Sequence, residues 1–248
     1  MTSIDQFSTG ADEQPTADSR WKYSVRGIWA ALAYPDQYFR TRMELVFAIA
    51  PLMVIALLKI FLVRAQLPYV FQAILRTLPP DAAARFAHDG NSLLTGRLWV
   101  QYMGAVTMPV ITIAFMAVLL YLLVVSFGAV PNYGTLFATT AYLWLIYALK
   151  SVFAFFLMAL RGLGGIRGPE SLEPPVGLGL LIHHYGMLQR FVDLANLFDV
   201  WFIGAAAIAL QRLTPFNKKD SISVALLWWT MLQVFRLGSA FMFQQAAG

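Results

Sequence analysis

The stretch from Tyr142 to Leu160 reads YLWLIYALKSVFAFFLMAL, nineteen residues that are apolar or aromatic apart from Lys150 and Ser151. A helix that crosses the hydrocarbon core of a bilayer needs about 20 such residues. A lysine within such a helix costs roughly 3 kcal/mol on insertion scales, so it needs a partner. The stretch therefore predicts a membrane-spanning helix whose lysine is neutralised by another part of the chain.

The composition extends this prediction to the whole protein. Of 248 residues, 59% are hydrophobic and only 12% are charged, whereas about a quarter of a soluble domain is charged. There is no cysteine, which excludes disulfides and thiolate chemistry. The formal charge is +5, and the basic residues flank the apolar runs, where they meet anionic lipid headgroups. The expected partner is the lipid bilayer, with no nucleic acid.

The chain divides into a tail, a lead-in and a membrane domain. Residues 1–19 hold four acidic residues and no lysine or arginine, which predicts a disordered acidic tail. Residues 20–43 have the helical spacing of a basic amphipathic segment, which either lies on the membrane surface or packs on the bundle. Residues 44–243 form the membrane domain. Its five apolar runs predict an all-α polytopic bundle with five transmembrane helices, at about 44–63, 106–127, 137–160, 194–213 and 221–243.

The connection between the first two spans is predicted to be a long loop. Its segment LPPDAAARFAH, residues 78–88, has Asp81 placed as an N-cap and predicts a short amphipathic helix. Whether residues 64–105 form a docking surface or a connector on the bilayer is left open. Eight lysines and arginines flank the spans on the N-terminal side and seven on the other, so the positive-inside rule does not set the orientation.

No catalytic, cofactor-binding or metal-binding residue is predicted. The phosphate-binding, zinc-protease, hydrolase and dinucleotide motifs are all missing from the sequence. His183 and His184 are adjacent, so on a helix they would point about 100° apart rather than form a metal-binding pair. The sequence therefore favours a protein that is not an enzyme.

Three predicted spans carry polar stripes at helical spacing. Lys150 lies on the third, Asn196 and Asp199 on the fourth, and Gln233 and Arg236 on the fifth. Lipid would not tolerate such stripes, so they are expected to face the bundle interior. At 1.5 Å per residue, Asp199 and Arg236 are close in depth, and Lys150 is deeper. We expect Asp199, with Asn196, to neutralise Arg236 and partly Lys150. This polar cluster would either hold the helices together or act as a functional relay.

The order of features resembles the bacterial branch of the Yip1 domain family. The residues that carry the resemblance are Pro35 and Phe39 in IWAALAYPDQYFRTRME, and Asn196, Phe198 and Trp201 in NLFDVWFIGAAAIALQRLTPFNKKDSISVALLWW. The resemblance implies five spans, a cytoplasmic N-terminus, a C-terminus outside and a bacterial inner membrane. It also implies a non-catalytic role, since some bacterial members accompany ABC-type exporters and adaptor proteins as accessory subunits.

Two functions follow from these observations. The first is a non-enzymatic membrane protein that binds or organises other membrane proteins, such as ABC-type exporter or adaptor subunits. The alternative is a small transporter or channel with a path past Lys150, Asp199 and Arg236. Transporters are usually built from internal repeats or broken helices, and the sequence has neither, which favours the first. No cofactor is expected in either case, and homo-oligomerisation is left open.

Overall fold

The computed structural model describes residues 48–165 and 196–246, together with Ile28, Leu32, Pro35 and Leu172. Within 88–97 and 236–246 it describes the backbone only. The elements in these residues are five α-helices and one short 3₁₀-helix, and the described part of the chain contains no strand. The all-α prediction is confirmed.

Within the described residues, three helices contain segments long and apolar enough to cross a membrane: Ile49–Thr77, Leu98–Ser126 and Tyr133–Arg161. The first three predicted spans, at about 44–63, 106–127 and 137–160, fall largely on these segments. A membrane protein with an all-helical membrane domain is therefore supported by length and composition.

The prediction of a long loop after the first span is wrong. Helix α1 (Ile49–Thr77) continues past Arg64, and helix α2 (Pro80–Ser126) begins after only Leu78 and Pro79. Pro80 stands at the start of α2, where proline needs no helical N–H partner. Pro79 is the N-cap, and Asp81 lies in the first turn instead of the predicted capping position. The two helices form a hairpin, and no amphipathic helix separates them.

Helix α3 (Tyr133–Arg161) has clear signals at both ends. The side chain of Asn132 accepts a hydrogen bond from the Thr135 N–H at 3.3 Å, which caps the helix. Gly162 ends it with φ at 66°, a backbone conformation that side chains disfavour. The 3₁₀-helix Leu163–Gly165 follows. Lys59 of α1 contacts Ser151 of α3, and Arg76 contacts Gly164, so α1 and α3 run parallel.

Helices α4 (Leu197–Leu213) and α5 (Lys218–Ala246) form a second hairpin, at the predicted fourth and fifth spans. Helix α4 is 17 residues long, or about 26 Å. It begins later than the predicted 194, because Asn196 is its N-cap. The Asn217 side chain accepts from the Asp220 N–H at 2.9 Å at the start of α5.

The core lies where these helices meet. Helix α1 packs against α2 and α3, and α3 also packs against α4. Helix α5 packs against α4 and α2. The largest buried side chains of the core include Trp228, Tyr142 and Phe202. The indole N–H of Trp228 donates to the Met116 carbonyl of α2 at 3.1 Å, which satisfies the polar end of a buried tryptophan.

Few residues of the predicted lead-in are described. Ile28 and Leu32 are helical and pack against the core of the bundle. The predicted acidic tail at 1–19, most of the amphipathic segment at 20–43, Phe39 and the loop after Gly165 lie outside the described residues.

Candidate functional site

The side chain of Asp199 is the centre of the polar cluster inside the bundle. It is 2% exposed and lies in the first turn of α4. The Asn196 side-chain oxygen accepts from the Asp199 N–H at 3.1 Å, and the Asn196 amide donates to Asp199 Oδ2. Asn196 thus caps the helix and binds the carboxylate at the same time. A carboxylate is also favoured at a helix N-terminus by the helix dipole.

Helices α3 and α5 supply further donors to this carboxylate. The Tyr147 hydroxyl of α3 donates to Oδ1 at 2.9 Å. From α5, the Trp229 indole N–H and the Gln233 amide each donate to Oδ1 at 3.2 Å. Asp199 therefore joins three helices, α3, α4 and α5, through hydrogen bonds to an ionised acceptor, which are stronger than neutral ones.

Lys150 is the cationic partner of Asp199. Its Nζ lies 3.6 Å from Asp199 Oδ2, and the two side chains are 18% and 2% exposed. The predicted contact between Lys150 and Asp199 is present in the structure. Lys150 lies eleven residues before the end of α3, or about 17 Å along the helix. The first turn of α4 therefore lies well inside the bundle instead of at its end.

Lys59 of α1 adds a second contact on the neighbouring face of α3. Its Nζ donates to Ser151 Oγ at 3.2 Å, and the Ser151 hydroxyl donates to the Tyr147 carbonyl at 3.0 Å. Lys59 is the eleventh residue of a 29-residue helix. Polar contacts at this level therefore connect α1 to α3 as well as α3 to α4 and α5.

The Gln233 amide has a defined orientation. Its Nε2 faces the carboxylate, because the reverse orientation would bring two oxygens together. Its Oε1 is buried and accepts no hydrogen bond from the described residues, although Gln233 is only 4% exposed. An unsatisfied buried acceptor costs about 1 to 3 kcal/mol.

The pairing predicted between Asp199 and Arg236 stays a prediction. The backbone of Arg236 lies in α5, three residues beyond Gln233, and its side chain is outside the described part of the chain.

The sequence reasoning missed Trp229. A period of three residues along α5 pairs Gln233 with Thr230, but Thr230 is exposed and its hydroxyl donates to the Leu226 carbonyl of its own helix. Trp229 is four residues before Gln233, and the period of 3.6 residues places those two on one face. The sequence signal for Trp229 is its indole N–H, a hydrogen-bond donor next to the polar stripe of α5.

Aromatic side chains surround the cluster on its core side. The ring centroids of Tyr147 and Phe202 are 4.8 Å apart, and those of Phe202 and Trp228 are 5.0 Å apart. Asp199 is buried beside these rings, and hydrogen bonds are stronger where water is excluded. Of the family-like positions, Phe198 and Trp201 are partly buried against the core, and the Phe198 ring lies 5.9 Å from that of Phe153.

The arrangement is suited to holding helices together. An ionised carboxylate offers about four lone-pair sites, and five side chains from α3, α4 and α5 contact this one. Among the described residues, no group of three or more histidines, cysteines or carboxylates is placed to bind a metal ion.

Comparison with protein-family models, with curated proteins and with solved structures gave no match. The resemblance to the Yip1 domain family therefore depends on the quoted residues alone.

Proposed function

We propose that this chain is a non-enzymatic, five-span protein of the bacterial inner membrane that binds or organises other membrane proteins. In this proposal it is of the Yip1 type, with its N-terminus in the cytoplasm and its C-terminus outside. Its partners are membrane proteins, with the subunits of an ABC-type exporter or its adaptor as the first candidates. The location, the orientation and the partner class are taken from the family resemblance.

One observation carries the proposal of a binding role. Among the described residues, five side chains from three helices contact the Asp199 carboxylate. A transport path needs interior polar groups that bind a solute and release it. The groups of this cluster are bound to one another, which favours a static support inside the bundle. The surfaces left for recognition are then the outward ones.

The proposal of five spans is supported by the position of the second hairpin. The contact between Lys150 and Asp199 brings α4 alongside α3. Helix α3 is one of three helices in the described part of the chain that are long and apolar enough to cross a membrane. Helix α5 returns along α4 and packs against α2 as well. A hairpin joined to the bundle at this depth would be surrounded by the same bilayer.

A pull-down from native membranes tests the proposal. The tagged full-length protein is extracted in a mild detergent, and bound proteins are identified and counted by mass spectrometry. Stoichiometric recovery of one or more membrane-protein subunits is the expected result. Recovery of the protein alone, as a monomer or homo-oligomer, would contradict a partner-binding role.

Transport past Lys150, Asp199 and Arg236 is the second candidate. It is favoured by the partial exposure of Lys150, at 18%, and by the unsatisfied Oε1 of Gln233. The test is proton and chloride flux into proteoliposomes that contain the purified protein. Flux that is present in the wild type and lost in Asp199→Asn would favour this candidate. Flux equal to that of empty liposomes would exclude it for these ions.

A further inference from the structure

Two exposed arginines lie together at the ends of helices α1 and α3. The Arg76 guanidinium of α1 donates to the Gly164 carbonyl at 3.5 Å. Arg161 is the last residue of α3, and a Cβ atom added to Gly165 would lie 3.0 Å from the Arg161 Cβ. Gly164 and Gly165 are neighbours, with Cα atoms about 3.8 Å apart. The two arginines therefore flank the same short turn, and a ligand over that turn is within reach of both.

These two arginines carry positive charge that the described residues do not balance. Both side chains are exposed, and no carboxylate in the described part of the chain forms an ion pair with either. The turn beside them is open, because a Cβ added to Gly162 or Gly164 would meet no atom within 4 Å. Guanidinium groups bind phosphate through two parallel hydrogen bonds. The arginine pair is therefore suited to holding a phosphate group.

The lengths of α1 and α3 place the arginine pair at the depth of the lipid headgroups. The candidate spans Ile49–Thr77 and Tyr133–Arg161 each have 29 residues, or about 43 Å of helix. A bilayer is roughly 40 to 45 Å thick when its headgroup regions are included. A crossing helix of this length thus begins and ends among headgroups. Arg76 and Arg161 are both in the last turn of their helix, where the phosphate at hand is that of phospholipid.

An exposed apolar stripe on α3 leads to the arginine pair. Phe153, Phe156 and Leu160 are three and four residues apart, so they lie on one face of the helix. Helix α4 runs antiparallel to α3 and contacts this face at Phe153, where the Phe198 ring lies 5.9 Å away. Past that contact the stripe is open, with Phe156 55% and Leu160 68% exposed. An apolar surface thus joins the first turn of α4 to the arginines.

The length of the stripe fits an acyl chain better than a partner helix. Arg161 follows Phe153 by eight residues, or about 12 Å along α3. One leaflet supplies half of a hydrocarbon core of about 30 Å, so an acyl chain extends through about 15 Å. A partner helix that crosses the membrane needs contacts through both leaflets, but α4 occupies this face of α3 below Phe153. The stripe and the arginines together match one lipid molecule.

We propose that Arg76, Arg161 and the exposed stripe of α3 form a binding site for one anionic phospholipid. Its phosphate lies on the two guanidinium groups, and one acyl chain lies along Phe156 and Leu160. An anionic lipid is favoured because the amine of a zwitterionic headgroup would place a third positive charge beside the two arginines. The inference requires α1 and α3 to cross the membrane, and it does not depend on a partner protein.

The first experiment measures lipid binding to the purified, delipidated full-length protein by native mass spectrometry. The probes are phosphatidylglycerol and phosphatidylcholine with identical acyl chains. The site variant is Arg76→Gln with Arg161→Gln. The matched control is Lys218→Gln with Lys219→Gln, which also removes two exposed cations, at the start of α5. We expect the site variant to bind phosphatidylglycerol about tenfold more weakly than the wild type and the control do, because it lacks the charge-assisted hydrogen bonds.

Three results of this experiment would overturn the site. The first is equal affinity of the wild type and the site variant for phosphatidylglycerol. The second is an equal loss in the control, which would show an effect of net charge alone. The third is displacement of phosphatidylglycerol by an equal concentration of inorganic phosphate, which would assign the arginines to a soluble anion instead of a lipid.

A second measurement tests the apolar part of the site. A photo-reactive amino acid at position 156 or 160 is crosslinked in native membranes, and the adducts are identified by mass spectrometry. We expect anionic phospholipid in the wild type and a shift to zwitterionic lipid when Arg76→Gln and Arg161→Gln are added. The same lipid mixture in both proteins would overturn the proposal. A peptide of another membrane protein at these positions would also overturn it, while supporting the proposed partner-binding function.

Discussion

The substitution Asp199→Asn tests the central contact of the bundle. The asparagine keeps the size of the side chain, and its oxygen can still accept from Tyr147, Trp229 and Gln233. Its Nδ2, however, replaces the oxygen that faces the Asn196 amide and the Lys150 ammonium. Two donor-to-donor contacts form, and Lys150 loses its carboxylate.

The expected loss of stability follows from the burial of the pair. Removing one member of a buried ion pair costs about 3 to 5 kcal/mol, and we expect the lower end because Lys150 is 18% exposed. For a chain of 150 to 250 residues, each kcal/mol lowers Tm by about 2 to 4 °C. Asp199→Asn should therefore lower Tm by about 6 to 12 °C.

The assay is thermal unfolding in detergent followed by intrinsic tryptophan fluorescence. The chain has seven tryptophans and no cysteine, so this signal is available where thiol-reactive dyes are not. The matched control is Asp81→Asn, because Asp81 is also in the first turn of a helix but is exposed. A second variant, Lys150→Met, completes a double-mutant cycle, and we expect the two substitutions to be coupled by about 1 kcal/mol or more.

Two results would refute this reasoning. One is a Tm of Asp199→Asn that equals that of Asp81→Asn. The other is strict additivity of Asp199→Asn and Lys150→Met, because residues that contact each other are expected to show coupling.

Two further substitutions test single contacts by the same thermal assay. Trp229→Phe removes one donor to Asp199 while keeping an aromatic ring, so it should lower stability by about 1 kcal/mol. Trp99→Phe, at a position 75% exposed, should leave Tm unchanged, and equal values for the two would contradict the hydrogen bond. Gly162→Ala should lower stability by about 1 to 3 kcal/mol, because Gly162 has φ at 66° and ψ at 177°. Gly104→Ala, in α2 with open space around it, should instead stabilise by up to about 1 kcal/mol, and a shared direction of change would contradict the backbone argument.

Most of the helical architecture could be predicted from the sequence, because long apolar runs leave few alternatives in a membrane. The error lay between the first two spans. Hydropathy predicts a loop after residue 63, because it marks where a segment leaves the bilayer. It does not mark where the helix ends, which is decided by local backbone geometry. Pro80 begins α2 because a first helical turn accommodates proline.

Only part of the polar cluster around Asp199 could be predicted from the sequence. Spacing along each helix identified Lys150, Asn196 and Asp199 as inward-facing. The role of Asn196 as an N-cap depends on where α4 begins, and the contact with Trp229 depends on how α5 is rotated about its axis. That rotation is set by the packing of α5 against α2 and α4, which a single sequence does not specify.

The shortness of α4 has a consequence for the surrounding lipid. The outward face of α4 is strongly apolar at its first turn, where Leu197 is 77% and Val200 is 66% exposed. The exposed polar residue Gln211 follows fourteen positions after Leu197, or about 21 Å further along the helix axis. A typical hydrocarbon core is about 30 Å thick. If α4 alone makes the crossing, the lipid beside it must thin to match. Such hydrophobic mismatch would make the protein most stable in bilayers of shorter acyl chains and would draw thin-membrane regions, together with other proteins that prefer them, towards this side of the bundle.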